Sequence, residues 1–206
     1  MARRTNRLTA TRARIAAAAR LMAEDGIDDF ALAKRKAARR LGASDTEALP
    51  ANDEIENELR AYRALYQPDE HAQRIAELRE IALEAMQALE RFNPYLTGPV
   101  LKGTAGPYAE IELQLFPESA KEVEIYLLER RITFSTHEGR RFSGGRAHTM
   151  GVFNLLWQDT PLKLSVFDRR DERLALKTSQ AGKVMERAGI SEIRALLGRE
   201  NAADGR

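Results

Sequence analysis

Two glutamates at alternate positions, Glu110 and Glu112, follow the glycine-rich turn Gly103-Thr-Ala-Gly106. Strand side chains alternate between two faces, so residues 109–116 read as a strand. Glu110, Glu112 and Gln114 fall on one face, and Ile111, Leu113 and Leu115 on the other. Carboxylates two apart on a strand can share divalent cations, and Mg²⁺ is the ion whose preference for oxygen they suit. Backbone N–H groups of a glycine turn at a strand end converge on a phosphate oxygen, which makes Gly103 and Thr104 candidate phosphate ligands. Lys102, or Arg140, Arg141 and Arg146 further along the chain, could offset negative charge on phosphate. The same residues also describe an ordinary half-exposed strand.

The surrounding sequence predicts the elements that place these groups. Apolar and β-branched runs predict strands at 98–102, 109–116, 132–136, 152–157 and 162–167. Gln158-Asp-Thr-Pro161 reads as a hairpin turn, and Glu138–His148 as a polar loop holding the three arginines. A helix is expected over 119–131, with Val123, Ile125, Leu127 and Leu128 inward. Two more are expected over 180–188 and 191–198. This order predicts an α+β domain: a mixed five-stranded sheet with helices on one side, preceded by an all-helical N-terminal segment. The division expected is 1–68 for the helical segment and 69–206 for the α/β domain.

The helical segment carries a marked charge split. Residues 1–42 hold 11 basic and 4 acidic side chains, whereas 43–91 hold 5 basic and 12 acidic. Thr9 or Thr11 would cap a first helix running to Met22, and Asp29 a second ending at Gly42. Phe30, Ala33, Ala37 and Leu41 form the inner stripe of that second helix, and Lys34, Arg35, Lys36, Arg39 and Arg40 its outside. These cations are the candidate nucleic-acid contacts, without sequence preference; packing against the acidic segment is the alternative. Further on, Asp53 and Glu56 have capping-box spacing, with Ile55, Leu59, Tyr62 and Tyr66 on the inner face. A helix from Glu70 to Phe92 buries Ile75, Leu78, Ala82, Ala85 and Leu89. The arginine-rich helix, the Glu-Asp-Gly turn and the second helix ending in Leu-Gly-Ala-Ser resemble the start of a TetR-type helix-turn-helix. A recognition helix should follow Ser44, where the chain has the acidic, proline-ended Asp45-Thr-Glu-Ala-Leu-Pro50.

The Gly-Thr pair and the two acids on the next strand resemble the nucleotidyltransferase superfamily, the core shared with DNA polymerase beta. On that resemblance Gly103 and Thr104 match the Gly-Ser pair, and Glu110 and Glu112 the Asp-x-Asp pair. The resemblance implies a metal-dependent transfer of a nucleotidyl group from a nucleoside triphosphate to a hydroxyl, with Glu110, Glu112 and a third acid as the catalytic set. Asp168 is the candidate for that third acid, after the strand at 162–167. Strand alternation puts it in phase with the buried Leu162, Leu164 and Val166, while Lys163 and Ser165 occupy the face that an acid should. The expectation is therefore a nucleotidyltransferase-fold protein that binds nucleotide or nucleic acid with weak or no catalysis. An active Mg²⁺-dependent enzyme and an interaction protein without a ligand are the alternatives.

Composition narrows the classes further. The chain has 206 residues, 43% of them hydrophobic, enough for a sizeable core, and a net charge of +2. It has no cysteine, which excludes disulfides, a thiol nucleophile and cysteine-bound zinc. The three histidines, His71, His137 and His148, show no metal-ligand spacing. No apolar run approaches the ~20 residues needed to span a bilayer, and a cytoplasmic location is expected.

Overall fold

The computed structural model describes residues 2–27, 29–42, 50–66, 68–178 and 183–204. The chain forms two compact units: residues 1–74 with 103–109, and residues 75–102 with 110–206.

The first unit is built on α1 (Ala2–Glu24), α2 (Phe30–Arg40) and α3 (Asn52–Tyr66). Helix α1 begins at Ala2, so the expected start at Thr9 or Thr11 is corrected. Asp29 does cap α2, accepting hydrogen bonds from the backbone N–H of Ala31 at 2.7 Å and of Leu32 at 3.2 Å. The core joins Ala18, Ala19, Met22, Ala33, Ala37, Ile55 and Leu59, with Phe30 and Tyr62 at its edge. Alanines at these positions let the helix backbones approach closely. Leu41 and Tyr66, expected inside, are exposed. The capping contact of α3 also shifts by two residues, with Glu54 accepting from Ala51 N–H at 2.8 Å. Residues 43–49, where a recognition helix would fall, lie outside the described residues.

The second unit is α+β. Helix α4 (Pro68–Ala88) runs into it and ends in a 3₁₀ turn at Glu90–Phe92. There follow β1 (Tyr95–Thr97), α5 (Gly98–Lys102), β2 (Ile111–Leu115), α6 (Ala120–Glu129), β3 (Phe134–Ser143), β4 (Arg146–Trp157) and β5 (Thr160–Val166). A 3₁₀ turn at Arg169–Arg173, β6 (Arg187–Ala188) and α7 (Ile190–Asp204) complete it. The sheet is mixed and six-stranded, in the order β3-β4-β5-β2-β1-β6, where the sequence predicted five strands. The added strand, β6, lies where a helix over 180–188 was expected, and it pairs with Leu96 and Thr97.

Three further elements differ from expectation for local reasons. Residues 98–102 form a helix, not a strand. Gly98 at φ +74 ends β1, Pro99 suits a first helical turn, and buried Arg79 donates to the carbonyls of Val100 (3.1 Å) and Leu101 (2.7 Å). The polar stretch 138–148 is not a loop but the distal part of a hairpin, turned by Gly144 (φ +55) and Gly145 (φ +77). On α6 the inward stripe is Val123, Tyr126 and Leu127, so Ile125 and Leu128 stand in solvent.

Candidate functional site

Sheet register decides which side chains share a face. Strands β1 and β2 are antiparallel, β2 and β5 parallel, and β5 and β4 antiparallel. Leu96, Ile111, Leu113, Leu115, Leu162, Leu164 and Leu155 form the buried apolar face. The opposite face carries one row running Thr97, Glu112, Lys163, Asn154, Ser135 across five strands. A second row runs Tyr95, Gln114, Ser165, Val152, His137. Glu110 lies one residue before β2 and points to the same cluster as Glu112.

The two glutamates meet at a lysine. Lys163 Nζ is 3.1 Å from Glu110 Oε1 and 3.8 Å from Glu112 Oε1. Side-chain exposure is 23% for Lys163, 40% for Glu110 and 23% for Glu112, so the cluster is partly shielded from solvent. Arg141 reaches the same face. Burial pulls its guanidinium below the ordinary value, and the field of Glu112 opposes that shift. Gln114 is 1% exposed, and its Oε1 has no hydrogen-bond partner among the described residues.

Gly98 lies directly against this cluster. A Cβ added there would come within 3.0 Å of Glu112 Cδ and 3.2 Å of Glu112 Oε2. Gly98 thus follows β1 and faces Glu112, whereas Gly103 belongs to the first unit. The signal was present: Gly98-Pro99 directly follows the β-branched end of Tyr95-Leu-Thr97.

The other candidates have distinct surroundings. Gly103 and Thr104 pack in the first unit, where His71 Nε2 lies 3.0 Å from the Gly103 carbonyl and Thr104 is buried. Arg63, itself buried, donates to the Ala105 carbonyl at 2.7 Å. Lys102 closes α5 and belongs to the second unit. Asp168 is exposed and caps the 3₁₀ turn after β5, accepting from Arg170 N–H at 2.9 Å. Arg140 and Arg146 are exposed on the hairpin. His137 sits 3.4 Å from Asn154, and His148 3.3 Å from Asp171.

A divalent ion does not fit the donor set at Glu110 and Glu112. The sheet position across from Glu112, where a third carboxylate would complete the set, holds Lys163. Its ammonium already stands against both carboxylates. Among the described residues, no group of three or more acidic or histidine side chains is placed to hold a metal.

In the first unit, α2 turns Ala33, Ala37 and Ala38 inward and exposes Arg35, Lys36, Arg39 and Arg40. Lys34 is half-buried. Burial lowers its pKa, while Glu54 and Asp53 near the start of α3 oppose the shift. Arg40 Nη2 approaches Asp25 at 3.9 Å with both side chains largely in solvent, a pairing of little energetic weight. Thus Lys34 faces the acids of α3, and the other four cations face outward. No helix among the described residues is long and apolar enough to cross a membrane.

Compared with family models, with curated proteins and with solved structures, the chain matches none.

Proposed function

We propose that this protein is a nucleic-acid-binding protein built on a nucleotidyltransferase-like core whose two-metal chemistry has been lost. The observation that carries this reading is the Lys163 ammonium against Glu110 and Glu112. Two-metal transfer requires carboxylates free to hold cations that bridge a triphosphate and its acceptor. A lysine on the neighbouring strand supplies the neutralising charge instead, permanently and without the coordination geometry needed to activate a hydroxyl. The likeness of the core rests on β1 antiparallel to β2, β5 parallel beside β2, and Gly98 against Glu112. Any nucleotide bound at this polar face is held without turnover.

Binding falls to the exposed cations of α2. Arg35, Lys36, Arg39 and Arg40 present a positive helix face, and such a face neutralises phosphates without reading bases. Affinity for single- or double-stranded nucleic acid should fall steeply between low and physiological salt. Replacing Lys34, Arg35, Lys36, Arg39 and Arg40 together by Gln should remove most of the binding and flatten its salt dependence. In parallel, nucleoside triphosphates with an RNA acceptor should release no pyrophosphate above background. Salt-independent binding that prefers one sequence would contradict the phosphate reading. Metal-dependent pyrophosphate release that Glu110→Gln with Glu112→Gln abolishes would contradict the loss of catalysis.

A further inference from the structure

Strand β3 closes one side of the sheet, with β4 as its inner neighbour. Its register with β4 runs from Phe134↔Leu155 to Ser143↔Arg146 without a slip, so its backbone groups alternate strictly between the two sides of the strand. Phe142 fixes which residues point away from β4. Its N–H donates to the Lys177 carbonyl at 2.9 Å, and its carbonyl accepts from Lys177 N–H at 2.8 Å. Counting back by twos, Phe134, Thr136, Glu138 and Arg140 also turn their N–H and C=O groups outward. Among the described residues, nothing pairs with that stretch of the edge. Residues 135–138 are exposed, and the run from Phe134 to Arg140 contains no proline and no bulge. Natural sheets cover or break such an edge, because its unpaired N–H and C=O groups accept another strand. Lys177 covers this one at Phe142 and leaves the rest open.

We propose that this edge is an interaction surface for a second copy of the chain, the two β3 strands pairing antiparallel about a two-fold axis at His137. Identical strands paired this way give a closed dimer in which residue i meets j and j meets i. Three features select the register. Outward groups must meet outward groups, so even-numbered residues face even-numbered ones. Pairing centred on Gly139 would bring Thr136 of the second copy to the place beside Phe142 that Lys177 occupies. Pairing centred on Glu138 would set that carboxylate directly opposite its own copy, and like charges so placed are destabilising. Pairing centred on His137 avoids both and uses the whole open stretch. It sets Phe134 opposite Arg140 and Thr136 opposite Glu138, each twice, so a guanidinium meets an aromatic ring and a carboxylate meets a hydroxyl. The surface stands on the sheet edge alone and needs neither nucleotide nor nucleic acid.

The chain has no cysteine, so a single introduced thiol is an unambiguous reporter. At the axis the two copies of residue 137 form a non-hydrogen-bonded pair, with Cα atoms about 4.5 Å apart. That lies inside the range a disulfide tolerates, about 4.4–6.8 Å. The two copies of residue 135 would stand about 14 Å apart along the strands. Under mild oxidation the full chain carrying His137→Cys should form a disulfide-linked dimer, and Ser135→Cys should not. Sedimentation of the wild type from micromolar to millimolar concentration should show a monomer–dimer equilibrium. Thr136→Pro deletes an outward N–H that takes no part in the ladder to β4, a place where an edge strand tolerates proline. It should weaken the dimer roughly tenfold or more. In the wild type, the amides of Thr136 and Glu138 should gain protection from exchange as concentration rises. A wild type that stays monomeric, equal crosslinking of the two cysteine variants, or an undiminished dimer in a folded Thr136→Pro chain overturns the proposal. An edge that pairs as readily with an unrelated alternating Thr-Val peptide overturns the self-complementary register.

Discussion

Lys163 is the residue on which the functional reading turns, and half of its significance was visible in the sequence. Alternation along Leu162-Lys-Leu-Ser165 put a lysine on the face where a third acid would stand, and put Asp168 out of reach. What alternation does not supply is the parallel register that sets Lys163 opposite Glu112, since β2 and β5 are separated by a helix and a long hairpin. Gly98 was only half legible for a similar reason: its place after Tyr95-Leu-Thr97 is in the sequence, its setting is not. Its role comes from φ +74 combined with close approach to Glu112, and neither is a property of local sequence. Gly98→Ala should cost about 2–4 kcal/mol, combining a positive-φ penalty with a crowding penalty. Gly144→Ala, with positive φ but nothing within 4 Å, should cost about 1–2 kcal/mol. Urea unfolding of the two variants measures both, and equal costs would show that Gly98 is not pressed against the carboxylate.

Elements were legible where one periodicity dominated. The long helical patterns of α1 and α4, the Asp29 cap, the β4–β5 turn and the strand at β2 follow directly from spacing and turn chemistry. Gly98-Pro-Val-Leu-Lys102 was misread because a short apolar run fits a buried strand as well as a turn of helix. Arg79, about twenty residues earlier in the chain, settles the matter by holding the carbonyls of Val100 and Leu101 while pairing with Glu200. The arginine-rich stretch 138–148 was misread because its side chains are polar. The Gly144-Gly145 pair is nevertheless a hairpin signal, and it turns the stretch back on itself. Candidate contacts placed on a loop thus stand on a paired hairpin, with Lys177 bonded to Phe142 along its outer edge.

One short segment belongs to a unit other than that of its neighbours in sequence. Residues 103–109 join α5 to β2 in sequence, yet they pack in the helical unit. Arg63 holds the Ala105 carbonyl, His71 lies at that of Gly103, and a side chain at Gly26 would meet Pro107 and Tyr108. Opening of the helical unit should therefore release this strap first. Native-state hydrogen exchange should show the amides of 104–106 exchanging with those of α1 and α3, and faster than those of β2. Protection of the strap that instead tracks β2 would mean that the sheet fixes it. In the function proposed above, Lys163 serves as the cation of the Glu110–Glu112 pair. The most direct measurement is the unfolding temperature of wild type and of Lys163→Met under a titration of Mg²⁺ or Mn²⁺, with and without nucleoside triphosphate. A bound ion stabilises a native state in proportion to the logarithm of its excess over the dissociation constant. The wild type should be indifferent to metal, and Lys163→Met should be less stable by about 1 kcal/mol and partly restored by the ion. A wild type stabilised by metal, with the response lost in Glu110→Gln plus Glu112→Gln, would contradict it.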